Sequence, residues 1–233
     1  MKIKLFADGA DVASMVALSR DPRIKGFTTN PTLMRKAGVT DYRAFARSVL
    51  DAITEHPISF EVFSDELSEM ERQALEIASW GKNVYVKIPV TNTRRESTAA
   101  LVKALAAKGV KQNVTAVFTH AQVKEMGAAL NGGPPSVISV FAGRIADSGR
   151  DPKAHMAEAL KLCRAAGKNI ELLWASPREV FNIAEAESVG CDIITATPDL
   201  LKKLELFGKD LGDFSLETVE MFHRDAAAAG YRL

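Results

Sequence analysis

The stretch NVYVKIPVT, residues 83–91, decides the fold class of this chain. Its apolar side chains form a nearly continuous run, which is typical of a parallel strand covered on both faces. One charged residue, Lys87, interrupts the run near its C-terminal end. Buried lysines are rare, because an ammonium group that leaves water loses hydration that a protein interior seldom replaces. The stretch therefore predicts a buried strand that contains an unusual amine.

Seven further apolar strands are spaced along the chain, and helical patterns lie between them. The predicted strands are Ile3–Ala7, Ile24–Thr28, Ile58–Phe63, Val84–Ile88, Asn113–Phe118, Val137–Phe141, Ile170–Ala175 and Asp192–Ala196. The predicted helices are Val12–Ser19, Tyr42–Glu55, Ser68–Trp80, Arg94–Lys108, Ala121–Leu130, Lys153–Ala166, Glu179–Val189, Leu200–Phe207 and Leu216–Ala228.

Eight alternating strand and helix units predict an α/β protein with a (β/α)8 barrel fold. We expect a single domain over residues 1–233, with an additional C-terminal helix at about residues 215–229. A doubly wound open sheet is the main alternative. Such a sheet usually begins with the Gly-rich turn GxGxxG, and that motif is absent from the sequence.

Composition excludes several classes of protein. A net charge of +1, with basic residues scattered along the chain, argues against a nucleic acid or an anionic membrane as partner. Cys163 and Cys191 are too few for a disulfide framework, and no leader or membrane-spanning stretch is evident, so we expect a cytoplasmic protein. The four histidines lack the spacing of metal ligands, which predicts no metal site.

The alternation of side chains along each strand predicts which polar groups face the barrel interior. In the fourth strand Tyr85 and Lys87 share one face, and the aliphatic residues between them share the other. Lys87 should therefore point inward, as should Glu61 of the third strand and Asn113 and Thr115 of the fifth. An amine, a carboxylate, an amide and a hydroxyl would then converge on one cavity at the end of the barrel where active sites lie.

Each of these residues has a functional and a structural explanation. A desolvated lysine favours its neutral form, which is a nucleophile suited to Schiff-base formation with a carbonyl. A structural ion pair between Lys87 and Glu61 explains both residues without catalysis. Asn30 and Ser176 each precede a proline, so both are also explained as helix N-caps.

Three charged residues follow the predicted strand ends. Asp8 is either the cap of the first helix or an acid/base group. Arg144 and Arg178 are either surface residues or ligands of a phosphate. The residues alone leave these alternatives open.

Five motifs in chain order resemble the transaldolase family, including its short-chain branch of fructose-6-phosphate aldolase-like proteins. They are FTTNPTL at 27–33, VKIPVT at 86–91, NVTAVF at 113–118, SVFAGRI at 139–145 and ASPR at 175–178. The resemblance covers nearly the whole chain. It implies a barrel enzyme that forms a Schiff base with a sugar phosphate and uses neither a metal nor a cofactor.

The resemblance also implies roles for the matched residues. Lys87 would form the imine with the donor ketose, and Asp8 would act as acid/base on the hydroxyl at the bond being cleaved. Glu61 and Thr115 would hold the water that carries protons during imine formation. Substrate hydroxyls and the phosphate would be bound by residues of the other motifs, namely Asn30, Asn113, Ser139, Phe141, Arg144, Ser176 and Arg178.

Two positions favour one chemistry of the family over the other. The aldolase branch has tyrosine where this chain has Phe141, and glutamine where it has Glu61. A phenol can donate a proton that helps to hydrolyse the imine, and a phenyl ring cannot. We therefore expect transfer of a dihydroxyacetone unit between sugar phosphates. One alternative is an aldolase that releases free dihydroxyacetone. The other is a non-catalytic sugar-phosphate-binding barrel, because Val140, Ala142 and Pro177 depart from the family pattern.

The resemblance further implies a ring-type homo-oligomer, with ten copies as one option, in which the C-terminal helix packs on a neighbouring copy. Leu216, Val219, Met221 and Phe222 would supply the apolar face of that helix. The same residues are equally suited to cover the chain's own barrel.

Overall fold

Eight parallel strands form a closed barrel in chain order, and the last strand pairs with the first. The computed structural model describes residues 1–232. The strands are β1 (Lys4–Asp8), β2 (Ile24–Thr28), β3 (Ile58–Glu61), β4 (Val84–Pro89), β5 (Gln112–Val117), β6 (Ser136–Val140), β7 (Ile170–Trp174) and β8 (Ile193–Ala196). The predicted (β/α)8 barrel is therefore confirmed.

Helices lie between successive strands and continue after β8. They are α1 (Val12–Ser19), α2 (Pro31–Lys36), α3 (Tyr42–Ala52), α4 (Leu67–Ala78), α5 (Ala99–Ala107), α6 (His120–Leu130), α7 (Ala142–Asp147), α8 (Pro152–Ala166), α9 (Phe181–Val189), α10 (Pro198–Lys202) and α11 (Leu211–Ala229). The sequence prediction omits α2 and α7. Each is six residues long, which is too short for a helical period to be recognised.

The parity argument for β4 holds in the structure. Val84, Val86 and Ile88 are buried, while Tyr85 packs against the side chains that fill the barrel interior, among them Phe6 and Leu173. Lys87, two residues beyond Tyr85, therefore points into the barrel at its C-terminal end. Apolar side chains pack below Lys87 in the barrel interior, and the polar groups of the predicted site lie at the C-terminal mouth of the barrel.

The loop after β4 is longer than the sequence pattern indicates. We expected a helix from Arg94, but α5 begins at Ala99, so that prediction was wrong. Arg95 has a φ of +65°, in the left-handed region, and Arg94 forms ion pairs with Asp65 and Glu66 of the loop after β3. These tertiary contacts outweigh the helix propensity of two arginines.

A bulge interrupts β5 close to the barrel mouth. The register between β5 and β6 shifts between Val114 and Val117, and Ala116 has a φ of +58°. Non-glycine residues in this region are strained, and such strain concentrates at functional sites. The bulge directly follows Thr115, one of the predicted catalytic residues.

The described chain divides into two compact units, one of residues 1–201 and one that begins at Lys202. The barrel belongs to the first unit. The expectation of a single domain over the whole chain stays a prediction.

The second unit contains the expected C-terminal helix, α11. It begins at Leu211, because Asp210 caps it by accepting hydrogen bonds from the backbone of Gly212 and Asp213. Leu216, Val219, Met221 and Phe222 of this helix are all exposed. Assembly into a homo-oligomer through them stays a prediction. Among residues 1–232, no helix is both long and apolar enough to cross a bilayer.

Candidate active site

A cavity of about 610 Å³ opens at the C-terminal ends of the strands. Residues from or directly after all eight strands line it, as the closed barrel requires. Ten of the eleven predicted site residues lie on its wall, namely Asp8, Asn30, Glu61, Lys87, Thr115, Ser139, Phe141, Arg144, Ser176 and Arg178. The structure therefore brings these ten predicted residues together on one cavity, and their roles stay a prediction.

Lys87 lines this cavity and is only 6% exposed. Glu61 of β3 is its direct neighbour in the strand register, and the Nζ atom lies 3.0 Å from Glu61 Oε2. The amine also donates to the backbone carbonyl of Thr29 at 2.8 Å. The ion pair that sequence reasoning offered as a structural explanation is thus real. It does not exclude catalysis, because it places a proton acceptor beside the amine.

Asp8 ends β1 on the adjoining wall and has two polar neighbours. Its carboxylate accepts from Thr28 Oγ1 at 2.8 Å and from Asn30 Nδ2 at 3.4 Å. Burial raises the pKa of Asp8, and the opposing effects of the Lys87 charge and the two hydrogen bonds do not fully offset it. A carboxyl group with a raised pKa is suited to exchange a proton with substrate. Asp8 does not cap the first helix, because Asp11 does so through Ser14.

Asn30 is a helix cap and a site residue at the same time. Its Oδ1 atom accepts from the backbone N–H of Leu33 at 3.0 Å, which caps α2. The cap leaves Nδ2 directed at Asp8. The two explanations that the sequence left open are therefore compatible for this residue.

Asn113 lies beneath the cavity and not on its wall. It is fully buried, and its amide donates to Ser59 Oγ at 3.0 Å and accepts from Ser139 Oγ at 2.6 Å. These bonds connect β3, β5 and β6 across the barrel interior. Ser139 reaches the cavity wall, whereas Asn113 orients it from below. Thr115, two residues along β5, lines the cavity directly.

The wall formed by β6 and β7 depends on a glycine. A Cβ atom at Gly143 would lie 1.6 Å from the carbonyl oxygen of Ser176, so only glycine permits this approach. Gly143 also donates its N–H to the carbonyl of Ala175 at 3.3 Å. Ser176 has a φ of +61° and α9 begins only at Phe181, so the structure excludes the N-cap explanation of Ser176 and leaves the phosphate-binding one. The contact brings Arg144 and Ser176 to the same wall.

Two guanidinium groups lie on the rim above this wall. The Arg178 guanidinium donates to Ser176 Oγ at 3.1 Å and forms a bidentate ion pair with Asp147 at the end of α7. The Arg144 guanidinium lies 5.4 Å from the centre of the Phe141 ring. Two fixed guanidinium groups beside a serine hydroxyl are suited to bind a phosphate.

Lys36 also lines the cavity and was missed by sequence reasoning. It is the last residue of α2, the short helix that the prediction omitted. The cap and proline at Asn30 and Pro31 were the available signal for that helix. Among residues 1–232, no three His, Cys, Asp or Glu side chains group as metal ligands.

The chain is similar to proteins of one family along most of its length. The family described as Transaldolase/Fructose-6-phosphate aldolase matches residues 5–232. A probable transaldolase of Methanococcus maripaludis is 34% identical over 215 residues, which cover 92% of this chain and 94% of the relative. A probable transaldolase of Streptococcus agalactiae is 33% identical over 216 residues, with 93% and 95% of the two chains covered.

A solved structure is similar in fold alone. It is an HpcH/HpaI aldolase/citrate lyase family protein from Burkholderia cenocepacia, with a TM-score of 0.61 at 14% identity. The superposition covers 94% of this chain and 95% of the other.

Proposed function

The chain belongs to the transaldolase/fructose-6-phosphate aldolase family, and we propose that it is a transaldolase that forms a Schiff base. In this proposal it transfers a dihydroxyacetone unit from a ketose phosphate, fructose 6-phosphate or sedoheptulose 7-phosphate, to an aldose phosphate. One observation carries the proposal. The buried amine of Lys87 lies 3.0 Å from the Glu61 carboxylate, in a cavity that Asp8 also lines.

The first half of the proposed reaction forms the imine. Glu61 accepts a proton from Lys87, and the neutral amine attacks the C2 carbonyl of the ketose. The resulting carbinolamine loses water and leaves a protonated imine. Glu61 on β3 and Thr115 on β5 line the cavity on either side of β4, and in this proposal they hold the water through which the protons move.

The second half breaks and remakes a carbon–carbon bond. Asp8 takes the proton of the C4 hydroxyl, the C3–C4 bond breaks, and its electron pair moves into the protonated imine to give an enamine. The aldose phosphate leaves with its new carbonyl. An acceptor aldehyde then takes its place, and the same steps run in reverse. No cofactor is needed, because the protonated imine is itself the electron sink.

The rim residues account for phosphate recognition in this proposal. Arg144 and Arg178 would bind the phosphate of donor and acceptor in turn, with Ser176 Oγ as a further donor. Asp147 holds Arg178 in one orientation through its bidentate pair. A sugar chain that extends from Lys87 to this rim would carry its phosphate at the end away from the imine.

A coupled assay with and without erythrose 4-phosphate tests the function. With fructose 6-phosphate as donor, we expect glyceraldehyde 3-phosphate and sedoheptulose 7-phosphate only when the acceptor is present. Stoichiometric free dihydroxyacetone without an acceptor would instead identify an aldolase. Saturable binding of the sugar phosphate with neither product would identify a non-catalytic barrel.

Phe141→Tyr is expected to increase the release of free dihydroxyacetone. The ring is half-buried on the cavity wall, so a phenol there can donate a proton during imine hydrolysis. A positioned general acid contributes about 10²–10⁴-fold, so the increase should not exceed about 10⁴-fold. Dihydroxyacetone formed from fructose 6-phosphate without acceptor is the measurement. Phe118→Tyr is the matched control, because Phe118 packs on Phe141 but does not line the cavity. Equal release from both variants would contradict the argument.

A cytoplasmic location is part of the proposal. Cys163 and Cys191 are both buried and free, and burial raises the pKa of each thiol to about 12. Buried thiols of this kind are unreactive, and two free thiols are consistent with a reducing compartment.

A further inference from the structure

The peptide group of Glu61 lies where the pairing between β2 and β3 ends. The two strands pair only through Phe27 with Ile58 and Thr28 with Ser59. The last bond of this ladder runs from the N–H of Thr29 to the carbonyl of Ser59 at 3.2 Å. In a continued parallel ladder, Glu61 N–H would donate to Thr29 O, and the N–H of residue 31 would donate to Glu61 O.

Neither of these two ladder partners is available to the Glu61 peptide group. Residue 31 is Pro31, which has no N–H to donate and which begins α2. The carbonyl of Thr29 accepts instead from the Lys87 amine at 2.8 Å. A buried peptide group that lost both partners would be strongly disfavoured, because each unsatisfied group loses its hydrogen bonds to water without replacement.

The hydroxyl of Tyr42 replaces both partners at once. It accepts from Glu61 N at 2.8 Å and donates to Glu61 O at 2.9 Å. Tyr42 is the first residue of α3, and its ring is held edge-on between Phe60 and Phe63. Burial also raises the pKa of Tyr42, so the hydroxyl keeps its proton and can act as the donor.

We propose that Tyr42 is a positioning residue for the catalytic lysine. Because its hydroxyl satisfies the Glu61 peptide, the Thr29 carbonyl remains free to accept from Lys87 Nζ. The amine is then held by two acceptors from neighbouring strands, Thr29 O at 2.8 Å and Glu61 Oε2 at 3.0 Å. These two contacts fix the direction from which Lys87 approaches a carbonyl. The inference rests on the proposed function, since it assigns a purpose to the placement of that amine.

Removal of the hydroxyl has a specific consequence. In Tyr42→Phe the Glu61 N–H becomes a buried donor without a partner, and Thr29 O is the acceptor that the ladder geometry offers it. Glu61 N–H is then drawn towards the carbonyl that also accepts from Lys87 Nζ, and we expect the amine and its neighbouring carboxylate to shift. A misplacement of about 1 Å can lower a rate by about 100-fold.

The test compares Tyr42→Phe with Tyr85→Phe. The two variants lose the same hydroxyl, but Tyr85 packs at the other end of the barrel interior, two residues before Lys87. We expect kcat for transfer to fall about 10- to 100-fold in Tyr42→Phe, with KM changed by less than about twofold, because the phosphate ligands lie on the opposite wall. Rates are expressed per active site, counted by borohydride trapping of the imine with fructose 6-phosphate. Tyr85→Phe should keep the kcat of the unaltered protein.

Hydrogen exchange supplies the second readout. The Glu61 amide should lose protection in Tyr42→Phe, whereas the Val62 amide, which donates to Lys87 O at 3.1 Å, should keep it. An unchanged kcat in Tyr42→Phe, or equal losses in the two variants, would overturn the inference. If Tyr42→Phe does not fold, the unaltered protein is tested for a nuclear Overhauser contact between the Tyr42 hydroxyl and the Glu61 amide. Its presence supports the inference, and its absence counts against it.

The two proposals fail in different ways. Absence of any borohydride adduct or transfer in the unaltered protein would reject the proposed function. Normal transfer by both the unaltered protein and Tyr42→Phe would reject the role of Tyr42 and leave the proposed function intact.

Discussion

Lys87→Met is expected to abolish transfer, with a loss in kcat on the order of 10⁶-fold, the scale seen when a covalent nucleophile is removed. Methionine is apolar and similar in length, so it fills the space of a side chain that is 6% exposed. It cannot form an imine. Borohydride treatment with fructose 6-phosphate should therefore add the mass of the reduced sugar adduct to the unaltered protein and none to the variant.

The variant also leaves Glu61 without its cation. Removal of one partner of a buried ion pair lowers the free energy of unfolding by about 3–5 kcal/mol. Glu61 keeps a side-chain exposure of 18%, which moderates this cost. Lys87→Met with Glu61→Gln removes both charges and should restore the melting temperature without restoring activity. Lys161→Met, on the exposed face of α8, is the control for loss of a lysine. Residual trapping in Lys87→Met, at any other lysine, would show that the nucleophile is misassigned.

The sequence was sufficient to predict the barrel and the amine because both depend on local pattern. Near-continuous apolar strands alternate with helices, and the two-residue period of β4 fixes the side on which Lys87 emerges. The same parity placed Glu61 beside it, and the structure confirms that contact at 3.0 Å. Strand periodicity was thus sufficient to predict that Lys87 and Glu61 point into the barrel.

The remaining parts of the site depend on tertiary contacts that no local pattern reports. Lys36 lies on a helix of six residues, and Ser176 has a left-handed φ at the point where Gly143 packs against its carbonyl. Asn113 shares the inward parity of Thr115, yet it is covered by its bonds to Ser59 and Ser139. Depth within the barrel is set by neighbouring strands, so parity predicts the direction of a side chain and not its access to substrate.

Asp8→Asn is expected to separate the two halves of the reaction. Asp8 is proposed to act only in cleavage of the C3–C4 bond, whereas imine formation is proposed to depend on Lys87, Glu61 and Thr115. The variant should therefore still be trapped by borohydride with fructose 6-phosphate, while transfer falls by about 10²–10⁴-fold, the contribution of a positioned acid/base group. Asp11→Asn is the control, because Asp11 caps α1 and asparagine caps equally well. Loss of trapping together with transfer would contradict this division of roles.

The stability of Asp8→Asn should change with pH in a predictable direction. Burial raises the pKa of Asp8 in the folded protein, so ionisation of this carboxyl favours the unfolded chain. Below about pH 4, the ordinary aspartate value, both states are protonated and the substitution should have little effect on the melting temperature. As the pH rises from there through the raised folded pKa, the unaltered protein loses stability that the neutral asparagine keeps. At pH 7 the variant should therefore melt at a higher temperature than the unaltered protein while transferring far more slowly. With this result, Asp8 would lower the stability of the folded protein at pH 7 without contributing to imine formation. The cleavage step alone would then explain its presence.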